Sequence, residues 1–599
     1  MMRSIKNLFQ PVILLFSLLL FISCQKEISD TNPIPTEPTN ELPDLSTKVS
    51  SSVSGFVTDE NDAPVLGAIV TMGAGSFTTD KYGYFEIKNK DVVKNAAVVT
   101  VSMNGYFKGI KTYIAEAGKS AFFRIKLIPK TTAGTFSATA GGEVTSTGGL
   151  KISFPADAIA VAANGSAYTG TVNVAASWIN PTAADLSRIM PGDLRGLDEN
   201  GGLKSLTTYG MAAVEMTGAG GELLQIVSGK KATMTMPIPT AILASAPASI
   251  PLWSFDETKG LWKQEGSASK TGNTYVGDVS HFSFWNCDVP NNYVHFDCTV
   301  LDNAGAPVPF AFVKISVVGS PYNAGYGYTD STGYTGGAVP NNAQLLLEVY
   351  SYYGCGTALY SQNFSTTSVN VSLGNITLNT GTTDMATLTG TVTSCTNTPV
   401  TNGYIIMLKD GQYYRQNLNS AGEYELSTIL CNTGSAVVSL IAEDIAQGEQ
   451  SIPLTYTLVP GNNAVPNIQA CGVSTSEFIN YTIDGVNYSY TPPSDSVFMT
   501  GNGQNTNFIL GGFSSTNNNT VNMSITNTGI ALNSLQPVIS FQSLQVPLVP
   551  LTSVSATITE YGAVGQFIAG NFTGTFVTQQ QTPPVNYTVT CSFRVRRTF

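Results

Sequence analysis

The sequence is poorest in the residues most enzymes rely on. Two histidines, His281 and His295, are the entire supply in 599 residues, which argues against most metal hydrolases and histidine acid–base chemistry. No cysteine pair has CxxC spacing, so zinc and thioredoxin-type readings are weak. There is no GxSxG elbow and no phosphate-binding loop, and neither histidine has the acidic spacing of a zinc peptidase. Charge is scarce too: 12% of residues are charged and the formal net charge is -11, so a basic footprint for nucleic acid is missing. Long stretches at helical period are absent. One enzymatic class survives these gaps, a carboxylate-only glycosidase within 133–288 or the C-terminal block.

What is present suits strands joined by tight turns. Asn, Thr, Ser, Gly, Val and Tyr dominate, so polarity comes from hydroxyls and amides rather than ions. The chain therefore reads as all-β. Its organising stretch is Gly55–Ile87. There Asp59-Glu60-Asn61-Asp62 supplies a turn, Pro64 opens a second run through Gly67-Ala68-Ile69-Val70, and Thr79-Asp80-Lys81-Tyr82-Gly83 turns into Tyr84–Ile87. The same grammar returns at Asp302–Gly333, with Pro307-Val308, Ala311, Val313 and Thr329-Asp330. It returns again at Gly390–Leu426, with Pro399-Val400, Gly403 and Asn419–Tyr424, where Ser394-Cys395-Thr396-Asn397 replaces the acidic first turn.

Gly55, Val57, Pro64, Gly67, Ala68, Thr79, Asp80, Gly83 and Phe85 give the first copy a pattern that resembles the carboxypeptidase regulatory-like domain. That resemblance implies a transthyretin-like β-sandwich, an accessory fold with no chemistry of its own. The expected order is a signal peptide at 1–23, a Pro-rich tether at 24–50 and a first sandwich at 51–130. A β-rich block follows at 133–288, whose Gly148–Pro155 opening resembles a ZU5-type domain. Sandwich repeats at 292–380 and 385–472 and a C-terminal β domain at 474–599 complete a linear array of prealbumin- or Ig-like modules.

Arg3 and Lys6 precede an apolar run, Leu8–Ile22, with the dimensions of a signal peptide. Leu20–Cys24 resembles a bacterial lipobox, with Phe21 a departure from the usual aliphatic residue. The resemblance implies a bacterial lipoprotein lipidated on Cys24, which makes a membrane its first partner. Gln25-Lys26-Glu27 resembles the signal that sends some lipoproteins to the outer face of the outer membrane. Pro33, Pro35, Pro38 and Pro43 among polar residues make the following stretch a disordered, extended spacer of roughly 70 Å, at about 3.1 Å per residue.

Apart from Cys24, seven cysteines remain. Cys298 with Cys355 and Cys395 with Cys431 fall within single modules and are the candidate disulfides, buried free thiols being the alternative. Asp59, Asn61 and Asp62, like Asp198-Glu199-Asn200, read as turn formers rather than a calcium loop. No cofactor or metal is expected. Trp253 and Trp262, with Trp285 and His281, form either a glycan platform or a β-domain core, with core filling favoured. Gly319–Gly336 carries Tyr322, Tyr326, Tyr328 and Tyr334 on small neighbours, a composition shared by binding loops and by strand edges. The expected function is surface-presented binding or adhesion to a glycan or protein, without enzymatic activity, at the outer membrane. A structural spacer is the alternative.

Overall fold

The computed structural model describes residues 42–351, 357–378, 384–430, 434–492, 494–501, 507–514, 518–527, 529–543, 546–562, 566–578 and 583–597. The expected signal peptide, Cys24, Cys355 and Cys431 lie outside them. Residues from Leu42 onward form one compact unit, built almost wholly of strands as the composition predicts.

The three repeats share one topology. In the first, Lys48–Thr58 lies between antiparallel Tyr84–Val93 and parallel Ser120–Lys126, giving a three-stranded sheet. A second sheet of four strands, Gly75–Thr78, Ile69–Met72, Ala97–Ser102 and Gly109–Tyr113, closes the sandwich. The second copy repeats this with Tyr293–Leu301 between Tyr334–Pro340 and parallel Val371–Thr377, opposite a sheet centred on Phe312–Val317 and Gln344–Tyr350. In the third, Asp384–Ser394 lies between Glu423–Leu430 and the parallel strands Gly461–Ala464 and Ile468–Ala470.

The turns explain why the same letters recur. Asp59 Oδ1 accepts the amides of Asn61 and Ala63, and Asp302 Oδ1 those of Ala304 and Ala306. In the third copy Ser394 Oγ takes the amides of Thr396 and Thr398 at 3.2 and 3.4 Å. At the second turn Asp80, Asp330 and Asn419 each accept two amides through Oδ1. Gly83, Gly333 and Gly422 follow at φ 73°, 77° and 75°. A Cβ there would lie 2.2, 2.4 and 2.6 Å from the carbonyl oxygens of Val57, Val300 and Val392, so only glycine lets the turn close against the first strand.

Between the first two copies lies a thirteen-stranded sheet whose long strand, Leu203–Thr217, pairs with Thr171–Ile179, Arg195–Leu197, Leu223–Ile226 and Phe284–Asn291. Ser249–Asp256 and Leu261–Thr271 form the expected hairpin, with Phe255 opposite Trp262. This sheet is covered on both faces: one core includes Trp285 and Cys287, and the other includes Trp253, Trp262 and Met211. After the third copy, residues 478–596 form a ten-stranded antiparallel sheet around its own core. Tyr481, on the strand Phe478–Ile483, reaches Phe541 at 5.2 Å and Ser543 at 2.8 Å, so the sheet curls on itself.

Candidate functional site

The copies succeed one another along the chain, yet the first is also in lateral contact with its neighbours. Toward the thirteen-stranded sheet, Lys111 Nζ donates to the carbonyls of Ser187 (2.8 Å) and Met190 (2.6 Å), and Thr112 donates to that of Gly260. Arg188 returns to Asp62 at 2.6 Å. Burial, with Arg188 nearby, pushes the Lys111 ammonium down to about 7. Toward the second copy, Phe122 lies 4.4 Å from Phe310 and 5.6 Å from Tyr328. Toward the third, Arg124 donates to Gln412 and to the Tyr413 carbonyl, and Lys81 pairs with Glu443 at 2.8 Å. Arg415 sits between the rings of Tyr84 and Tyr404, 4.0 and 3.9 Å from their centroids, a desolvated stack that favours arginine over lysine.

These contacts decide what the tyrosines do. Ser320–Tyr328 is a strand, not a loop, and Tyr334 begins the next one. Tyr326 stacks on Phe312 at 6.0 Å, Tyr328 faces Phe122, and Lys119 lies 4.8 Å over the Tyr334 ring. Burial pushes the Tyr326 and Tyr334 phenols up to about 12. With Tyr113 and Asp193 these three tyrosines line a cleft of about 150 Å³ between the first two copies. Tyr322 is the most open of the four, at 39% exposure, and the other three are half-buried. The alternation of Tyr with small residues was legible in sequence, but the covering copy was not.

The tryptophans take the favoured core-filling role, which removes them as binding aromatics, and the cysteine pairings are corrected. Trp253 and Trp262 are fully buried, with the Trp253 indole donating to the Asp288 carbonyl at 3.1 Å, so neither ring is a glycan platform. Their apolar area is spent on the core between the thirteen-stranded sheet and the first copy. Among the cysteines, Cys395 is bonded to Cys471, not Cys431, because the first turn of the third copy lies beside the parallel strand that ends at Ala470. Cys298 is a free, buried thiol and forms no bridge with Cys355; it packs in the core of the second copy, and burial pushes it up to about 12. The acidic turns hold backbone amides: Asp198 Oδ1 accepts those of Asn200 and Gly202. Among the described residues no three potential ligands gather to hold a metal.

Sequence reasoning missed two concavities. A cavity of about 310 Å³ lies where the three copies meet, lined by Arg124, Arg415, Phe56, Phe310, Met385 and Glu425. A larger open groove of about 1320 Å³ runs between the first copy, the third copy and the last sheet. Ile69, Tyr106, Lys108 and Phe498 are on its walls, with Ile69 51% and Phe498 40% exposed. Its carboxylates are engaged: Glu443 with Lys81 and the Tyr404 hydroxyl, Glu477 with Arg596, Asp80 with two amides, and Asp495 with the Thr491 amide. No signal in the sequence announces a groove whose walls are hundreds of residues apart.

Comparison with protein-family models returns no match. The chain is 32% identical to mouse (Mus musculus) cartilage intermediate layer protein 2 over 110 residues, 18% of this chain and 9% of that one. The human (Homo sapiens) protein is 30% identical over 115 residues, 19% of this chain and 10% of that one. The chain thus spans about a tenth of the curated relatives it matches. Among solved structures, the shaft pilin SpaA of Lactobacillus rhamnosus GG is similar at 11% identity and TM-score 0.18, over 30% of this chain and 99% of the pilin. A streptococcal ancillary pilin is similar at 9% identity and TM-score 0.14, over 40% of this chain and 99% of that one. At such scores the pilin likeness carries no functional argument.

Proposed function

We propose that this chain is a lipid-anchored protein of a bacterial outer membrane, displayed at the cell surface, that works by binding a glycan or another protein. The lipobox-like Leu20–Cys24 and the Pro-rich stretch behind it support anchoring and reach. The observation that carries the binding reading is the open groove, whose walls combine exposed Phe498 and Ile69 with Tyr106, Lys108 and Lys130. Apolar faces rimmed by polar tips are what sugar rings and protein partners pack against. Among the described residues its carboxylates pair with cations, a phenol and backbone amides, which favours contact over a glycosidase's paired carboxyls. Contact, and not catalysis, is the activity this supports.

The test is a glycan array and an envelope-protein pulldown with residues 42–599, run beside Phe498→Ala and Tyr106→Ala. Binding lost in both variants at unchanged thermal stability is expected; absence of binding by the parent protein ends the reading. Cys24→Ser should release the full chain from the membrane fraction, and retention there would end the anchor.

The second reading is a spacer that holds something else at a distance, favoured by the buried Lys81–Glu443 and Arg415 contacts that lock the copies together. Blocking the groove would then leave adhesion by whole cells unchanged.

A further inference from the structure

Three polar side chains lie in the dry interior of the thirteen-stranded sheet, outside everything assigned above. Thr208 is on the long strand Leu203–Thr217, and Asn286 and Asp288 are on its neighbour Phe284–Asn291, with Thr208 directly opposite Asp288. Asn286 and Asp288 are 0% exposed and Thr208 4%. The pairing slips between Thr208 and Met211, and this irregularity sets Thr208 and Asn286 against one another. Thr208 Oγ1 donates to Asn286 Oδ1 at 2.8 Å, and Asn286 Nδ2 donates to Asp288 Oδ2 at 2.5 Å. The cross-strand pairing brings the Thr208 and Asp288 side chains to adjacent positions on the two strands. Asp288 Oδ1 is buried with no partner, and among the described residues no cation pairs with this acid. Burial holds Asp288 far above the usual carboxylate range, against the hydrogen bonds from Thr208 and Asn286.

An alcohol, a carboxamide and a carboxyl that can pass a proton between them are the parts of an acyl transfer. We propose that Thr208 and Asn286 condense to an intramolecular ester, with Asp288 as the proton carrier. Thr208 Oγ attacks Asn286 Cγ as the neutral Asp288 carboxyl takes the hydroxyl proton on one oxygen and gives its own proton from the other to Asn286 Nδ2. The Cγ–Nδ2 bond then breaks, and the nitrogen leaves as ammonia. One hydroxyl and one carboxamide become one ester and one ammonia, Asp288 is regenerated, and no oxidant or co-reactant is consumed. The three groups are held in contact before reaction, so the step is effectively unimolecular. Water exclusion then protects the ester from hydrolysis, while loss of ammonia to solvent drives its formation. The product ties together two central strands at positions 78 residues apart in sequence. A covalent link there makes the domain resist pulling, whatever the groove binds.

Intact-mass measurement of residues 42–599, which form one compact unit without the lipidated segment, under reducing conditions and with fragmentation of the digest, decides the matter. The expected mass is one ammonia below that calculated from sequence, with a branched peptide joining the Thr208 and Asn286 segments. Alkaline hydroxylamine should split that peptide into its two linear parts. Thr208→Val and Asp288→Asn, close in shape to the native side chains, should each restore the calculated mass. Full calculated mass in the parent chain, or an ammonia loss that persists in Thr208→Val, would overturn the proposal. Neither reading requires the variants to reach the native fold, because the parent's mass and fragments suffice.

Discussion

The first and third copies run the same strands in the same order and use their surfaces in different ways. The first closes its leading turn with a carboxylate, Asp59, and presents Phe122, Arg124, Lys111 and Lys81 to three neighbours. The third closes that turn with the Ser394 hydroxyl at longer distances, and a disulfide from the adjacent Cys395 ties it to Cys471. A weaker turn is thus accompanied by a covalent strap, and a stronger one by docking partners. The difference teaches that the repeat specifies its own sandwich, while each copy's role is written in residues the pattern leaves open.

Several substitutions would break this comparison, beginning with what the copies share. Gly83→Ala and Gly422→Ala each force a Cβ against a backbone carbonyl at positive φ. Each should cost about 3 kcal/mol by denaturant unfolding, with the larger loss at Gly83, where the approach is closer. Next is what the third copy alone has. Cys471→Ser opens a link spanning 76 residues and should cost about 2–4 kcal/mol, confined to the third copy and reproduced by reductant; equal loss in the first copy would contradict the division of roles.

Arg124→Ala tests what the first copy alone has. It removes two hydrogen bonds to the third copy and the cation over Phe56 and Phe122, and should cost about 2 kcal/mol. Faster proteolysis between the copies should accompany that loss. At the leading turns, Asp302→Ala should cost about 1.5 kcal/mol against about 0.5 for Ser394→Ala, since a charged acceptor holds two amides more strongly than a hydroxyl does; equal losses would erase the distinction.

A further effect is one of pH. Lys111 is held near 7 in the folded protein against its ordinary 10.5, so over that interval the unfolded chain carries the extra proton. Stability should therefore rise with pH above about 7 and fall as pH drops toward 7. Melting temperatures of the parent and of Lys111→Met, compared from pH 7 to 9, should show a shallower slope in the variant.

Much of the fold was legible in the residues. Asp59, Asp302 and Asn419 announce turns because a short oxygen-bearing side chain can accept its own backbone amides two residues on. Gly83 and its counterparts announce the closure of those turns. Strand alternation separates the faces of each sheet, and the Trp253–Trp262 hairpin is readable from its loop. The candidate site was much less legible. Tyr326 alternates with small residues as a binding-loop tyrosine would, yet it lies half-buried on a strand beside the first copy. Cys395 has Cys431 nearby in sequence and Cys471 nearby in space, and spacing cannot express a parallel strand that returns from the far end of the module.

What the sequence determined by itself is local: turns closed by carboxylates and glycines, and strands whose side chains alternate with period two. Such signals need only a few consecutive residues, because backbone hydrogen bonding and steric limits act over that range. What only the tertiary structure decided is which faces meet. Burial of Trp253, the choice of Cys471, the groove before Phe498 and the meeting of Thr208 with Asn286 all depend on contacts between distant segments. Those contacts follow from the fit of whole surfaces once water is excluded, and no short stretch of sequence contains that information.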